Sequence, residues 1–165
     1  MSLARILRHL ASSRLSVRRA FPPQALEAIE RAIRETEATH EGEIVFVVET
    51  GLETPALLRG QTARERALEV FSRLGVWDTE HNNGVLIYVL MADRAVEILA
   101  DRGIHGLAGE EVWKEICREM KAAFRSGKHA DGAVAGIRAV GRHLETHFGS
   151  AGKRTNELPD KPIVP

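Results

Sequence analysis

The chain has 165 residues, 44% of them hydrophobic, and 23 basic residues balance 23 acidic ones. That length suits one compact domain with short extensions, and the balanced charge gives no footprint for nucleic acid. A single cysteine, Cys117, excludes an internal disulfide framework and fits a reducing compartment.

The balance is uneven along the chain. Residues 1–20 carry Arg5, Arg8, Arg14, Arg18 and Arg19 and no acidic residue. Leu3, Ile6, Leu7 and Leu10 recur between those arginines at helical spacing, which predicts a basic amphipathic helix. Such a helix suits an anionic membrane surface or a protein partner; alternatively, its apolar stripe packs on its own domain. Arg5, Arg8 and His9 interrupt every apolar run, which argues against a secretory signal, although a eukaryote would accept the composition as a mitochondrial presequence. No segment approaches the ~20 apolar residues of a membrane-spanning helix. The expected setting is the cytoplasm, peripheral to a membrane if the helix docks on one.

Pro22-Pro23 opens the next helix, striped by Leu26, Ile29 and Ile33 and ended by Gly42. Residues 43–49, EIVFVVE, read as a β-branched strand with acidic ends. Thr62-Ala63-Arg64-Glu65 is a capping box, and Ala67, Val70, Phe71 and Leu74 mark the buried face of its helix up to Gly75. Val85 to Met91 is too apolar for a strand with one wet face, which places it centrally in a sheet. Ala92-Asp93-Arg94-Ala95 is too short for a crossover, so Val96 to Ala100 returns antiparallel. Trp113, Ile116, Cys117, Met120 and Phe124 stripe one long helix, and Val134, Ile137, Val140, Leu144 and Phe148 another. The order α-β-α-β-β-α-α predicts a small mixed β-sheet flanked by helices on both faces, its first two strands parallel through a right-handed crossover. The expected organisation is a basic helix over 1–20, an α/β domain over 21–149 and an extended proline-containing tail over 150–165.

Candidate chemistry is sparse. Gly103, Gly106 and Gly109 follow a strand and precede a helix, but their spacing is neither GxGxxG nor a P-loop, and Glu110-Glu111 would repel a phosphate there. His143 and His147 stand one helical turn apart, a spacing that can hold zinc, without an HExxH pattern. Cys117 lies on a buried stripe, where a thiol is inert. The polar residues concentrate instead at one end of the central strand. Asp78, Glu80, His81, Asn82 and Asn83 precede it, and Asp101, Arg102 and His105 follow its partner. Hairpin pairing brings those two groups together, and a parallel first strand adds Glu43. Glu43, Asp78, Asn82, Asp101 and His105 are therefore candidate oxygen and nitrogen donors for a hard cation, calcium or magnesium. The competing explanation is that asparagine and aspartate simply make the turns a buried strand requires.

The run NNGVLIYVLMADRAVEILADRG resembles the core signature of the TPM-domain family. GEIVFVVE, RERALEVFSRLGV and FRSGKHADGAVAGI fall in the order of that family's segments, and the likeness spans roughly Phe21 to Phe148. By residue, Asn82, Asn83 and Gly84 match the strand-entry motif, Asp93 and Arg94 the hairpin, and Gly103 a glycine loop. The resemblance implies a helix-flanked mixed sheet, divalent-metal binding in some members and acid phosphatase activity proposed for plant ones; others are linked to photosystem repair or receptor-associated roles. Many relatives carry a signal peptide and a transmembrane or low-complexity tail, and this chain is expected to depart from them in having neither; the acidic segment that usually precedes the first helix is replaced by RRAFPPQALEAIE. It resembles the short, single-domain, cytoplasmic bacterial branch. Two functions follow as expectations: a binding or accessory module reaching a membrane or protein partner through its N-terminal helix, or a metal-dependent acid phosphatase. No nucleophile and base are visibly paired, which ranks the binding module first.

Overall fold

A computed structural model describes residues 3–149 and 156–165 of the chain. Helices α1 (Leu3–Ala11), α2 (Arg14–Ala20) and α3 (Pro23–Glu37) precede strand β1 (Glu43–Glu49). Helices α4 (Thr54–Leu58) and α5 (Ala63–Arg73) cross to β2 (Gly84–Leu90), which turns into β3 (Ala95–Ala100). Helices α6 (Arg102–Ala108), α7 (Glu110–Arg125) and α8 (His129–Phe148) follow.

The sheet order is β1-β2-β3, with β1 parallel and β3 antiparallel to the central β2. Every residue of β1 and β2 is buried, because helices cover both faces. Ile44, Phe46, Val48, Ile87 and Ile98 meet α3, α7 and α8 on one face, together with Val17 and Phe21. Val45, Val47, Leu86, Tyr88 and Leu99 meet α4 and α5 on the other, together with Ile6. The expected mixed sheet, crossover and hairpin are all present. The capping box forms as well: the Thr62 hydroxyl accepts from the Glu65 amide and the Glu65 carboxylate accepts from the Thr62 amide.

Besides the additional short helix α4, three elements differ from expectation. The basic segment is two helices, broken at Ser12-Ser13, and not one. The glycine-rich stretch after β3 is the helix α6, capped by Asp101, whose Oδ1 accepts from the Arg102 amide at 2.7 Å. A good cap offsets the low helix propensity of Gly103 and Gly106. The end of the tail also has a defined place: the Val48 amide donates to the Ile163 carbonyl and the Ile163 amide to the Phe46 carbonyl, each at 2.9 Å. The tail thus covers the free edge of β1. The first part of the expected tail, residues 150–155, lies outside the described residues.

Candidate functional site

The strand-entry motif has a local physical explanation. Asn82 adopts a φ of 52°, a left-handed conformation that asparagine tolerates better than most residues. Asn83 is buried, its amide donating to the Thr79 hydroxyl at 3.1 Å and its Oδ1 accepting from it at 3.2 Å. Gly84 starts β2 where the Val76 carbonyl oxygen would lie 2.0 Å from a Cβ, so no side chain fits. Gly103 is excluded from bearing a Cβ in the same way, 2.4 Å from the Asn82 carbonyl oxygen. These four residues build the turn and let α6 close over it.

Beside that turn the sheet register sets Glu43, Gly84 and Asp101 in a row across the amino-terminal end of β2. Glu43 is fully buried and accepts from the Leu158 amide at 3.1 Å. Asp101 is 8% exposed, and its Oδ2 has no hydrogen-bond partner among the described residues; neither has the Asn83 side-chain amide nitrogen. The Asn82 amide donates to the Thr79 carbonyl at 3.2 Å, and its Oδ1 accepts from Arg102 at 3.2 Å. Asp78 and His105 are solvent-exposed. Glu43, Asn82 and Asp101 thus share one sheet end, whereas Asp78 and His105 stand outside it. Among the described residues, no three His, Cys, Asp or Glu side chains are grouped so as to hold an ion. These donors do not fit a protein-built cage for a metal.

The carboxyl-terminal end of the sheet is differently made. The Tyr88 hydroxyl donates to Glu49 Oε2 at 2.6 Å, and Arg66 grips the same carboxylate with Nε at 2.9 Å and Nη2 at 2.5 Å. Burial, reinforced by Glu49, raises the Tyr88 pKa, so the phenol stays protonated. At the hairpin, Arg94 occupies the left-handed region (φ 52°) and is exposed. Asp93 reaches across to α1. Arg5 donates to it through Nε (3.0 Å) and Nη2 (2.8 Å), and His9 Nε2 lies 2.9 Å away. His9 Nδ1 accepts from the Leu52 amide at 3.0 Å, which leaves the ring proton on Nε2, directed at Asp93. Burial alone would raise the Asp93 pKa; the hydrogen bonds from Arg5 and His9, with the Arg5 charge, outweigh it and hold the carboxyl below its ordinary value.

The arginines of the basic segment therefore divide. Arg5 fastens α1 to the hairpin, and Arg8 approaches the same carboxylate at 3.8 Å while half its side chain stays in water. Arg14, Arg18 and Arg19 are exposed. With Ile6 turned into the core, Leu3, Leu7 and Leu10 face solvent at 72%, 58% and 64% exposure, and Leu15 joins them at 55%. Sequence reasoning did not find the Asp93 anchor, because the contact spans 88 residues. Elsewhere, burial pushes the Cys117 thiol up to about 11, which keeps it protonated and unreactive. His143 stacks edge-on to Trp113 and His147 is exposed. No described helix is long and apolar enough to cross a membrane.

The TPM domain matches residues 18–143. The BA42 protein of the psychrophilic bacterium Bizionia argentinensis, solved by NMR, is 30% identical, with a TM-score of 0.75 over 86% of this chain and 93% of that one. The N-terminal domain of a protein from P. gingivalis, also solved by NMR, shares the fold at 21% identity, with a TM-score of 0.63 over 79% of this chain and 82% of that one. None of the curated proteins compared matches the sequence.

Proposed function

This chain belongs to the TPM domain family, and we propose that it acts there as a binding module that seats on an anionic membrane surface through α1 and α2. One observation carries this reading: α1 is fastened by its inner face, through Arg5, His9 and Ile6, and turns Leu3, Leu7 and Leu10 outward. A helix stabilised only by packing on its own domain gains nothing from an outward row of leucines. Arg8, Arg14, Arg18 and Arg19 stand around that row with no acidic residue in the segment. Apolar side chains entering the headgroup region and arginines meeting anionic lipid are the two contributions such a surface helix requires.

Co-sedimentation with phosphatidylserine-containing vesicles tests it. The full chain pellets with them and not with phosphatidylcholine alone, and Leu7→Ser/Leu10→Ser abolishes pelleting while changing folding stability by no more than ~0.5 kcal/mol. Equal pelleting of the parent and the variant would sink the proposal.

A second reading, metal-dependent phosphate-ester hydrolysis, draws on the unpartnered Asp101 Oδ2. A magnesium ion keeps several of its waters and can rest on one or two carboxylates, so a single free oxygen is a foothold for a hydrated ion. Hydrolysis needs an activated nucleophile as well, and the exposed His81–Glu41 pair at that end, 3.2 Å apart, joins an imidazole to a carboxylate and not to a hydroxyl or thiol. The binding module is the better-supported function.

A further inference from the structure

The two edges of the sheet are unequal. The tail covers β1, but β3 is an edge strand with no neighbouring strand beyond it among the described residues. The Asp101 amide bonds back to the Gly84 carbonyl, so the strand's alternation directs the backbone groups of Val96, Ile98 and Ala100 away from β2. Only those of Ile98 are occupied: its carbonyl accepts from Arg64 Nη1 at 2.9 Å, and its amide faces the Cys117 sulfur. Val96 and Ala100 have no outward hydrogen bond among the described residues.

This edge forms the floor of a cleft between α5 and α7. A 550 Å³ depression runs from Val96 to Ala100, and a 500 Å³ one continues past Ala95 to the hairpin, the two sharing Lys121. Trp113 lines the wall; it is 4% exposed, and its indole N–H has no acceptor among the described residues. The charge is one-sided. Glu97 and Glu110 are the two acids of the lining, and they already pair with Arg64 and Lys114. Arg94, Lys121 and Arg125 have no ion-pair partner among the described residues, and the depression at the hairpin contains no acid at all.

We propose that this cleft binds an extended acidic segment of a partner protein, added to the sheet as a strand along β3. Main-chain hydrogen bonds at Val96 and Ala100 hold the segment. The Trp113 indole gains an acceptor. Arg64, which occupies the Ile98 carbonyl in place of a strand amide, turns to a carboxylate of the incoming chain. A second copy of the protein does not suit the groove, because its own β3 is sunk between the same two helices and cannot approach to the ~4.8 Å of paired strands. The tail at β1 demonstrates that this sheet accepts a short extended segment through two backbone bonds.

Amide NMR of the full chain tests this with three capped ten-residue peptides: alternating Glu-Thr, alternating Lys-Thr and alternating Glu-Pro. The Glu-Thr peptide shifts the Val96 and Ala100 amides and slows their solvent exchange, whereas the Lys-Thr peptide does neither. The Glu-Pro peptide, which has lost half its amides, binds roughly tenfold more weakly. Ala100→Pro removes an outward N–H that the β2–β3 ladder does not use and weakens Glu-Thr binding by about the same factor. Lys121→Glu weakens it without touching the backbone and serves if the proline variant does not fold. Equal binding of the Glu-Thr and Glu-Pro peptides would reduce the cleft to a basic patch and overturn strand addition. Shifts confined to α1 and α2, or none for any peptide, would overturn the site.

Discussion

The two ends of the sheet use charge in opposite ways. At the carboxyl end, Glu49 and Asp93 are each gripped by an arginine and a second donor, Tyr88 for one and His9 for the other. Those bonds fasten α5 and α1 to the strands. At the amino end, Asp101 and Asn83 are buried with polar atoms left over, and their neighbours Asn82 and Gly84 are explained by backbone geometry. A buried polar group is costly unless hydrogen-bonded, so the first end is structural cement. The second is where a ligand would gain most by arriving. The comparison also warns that a conspicuous polar sequence cluster can be a turn, while an inconspicuous carboxylate at a strand end holds a helix in place.

Breaking the carboxyl end has the largest expected effect. Glu49→Ala leaves the Tyr88 hydroxyl and the Arg66 guanidinium without their partner, and urea unfolding registers a loss of ~3–5 kcal/mol. A loss within ~0.5 kcal/mol would mean that the network is ornamental. Asp93→Asn is milder, roughly 1–2 kcal/mol, and exposes α1 to limited proteolysis. The native Asp93 carboxyl is held below its unfolded value. Its stabilisation is therefore complete above about pH 4 and fades as pH falls through the folded value. The variant should show a flatter acid limb, and parallel limbs would contradict the pairing.

The smallest effect sharpens the other end. Asp101→Asn keeps the α6 cap and changes stability by no more than ~1 kcal/mol, since its second oxygen had no protein partner. After chelation, adding calcium, magnesium, manganese or zinc separately distinguishes the two readings of that oxygen. A thermal midpoint that rises for one cation in the native chain, and not in Asp101→Asn, assigns it a hydrated ion, because a ligand of the folded state alone stabilises by mass action. Indifference to every cation leaves the amino end as a turn.

The β-branched run 43–49, the apolar run beginning at Val85 and the tight Asp93-Arg94 reversal were sufficient to order three strands and their directions, because strand periodicity and loop length are local properties. The Thr62–Glu65 cap was legible for the same reason. Local rules failed where a distant partner decides. Arg102–Ala108 reads as a glycine loop until its first turn meets the Asn82 carbonyl, which accepts from the Ile104 amide. The proline-bearing tail looks unstructured until Ile163 meets the free edge of β1.

The residues that matter to function divide along the same line. The basic, leucine-bearing character of the first 20 residues belongs to the sequence itself, since helical spacing fixes which side chains share a face. Which of those faces reaches water was decided by Asp93, Leu52 and Gln61, which hold Arg5 and His9 inward. The open edge of β3, the covered edge of β1 and the unpartnered Asp101 oxygen exist only in the assembled sheet. Strand order and side-chain pairing are set by contacts between residues far apart in the chain, and no window of sequence contains both partners.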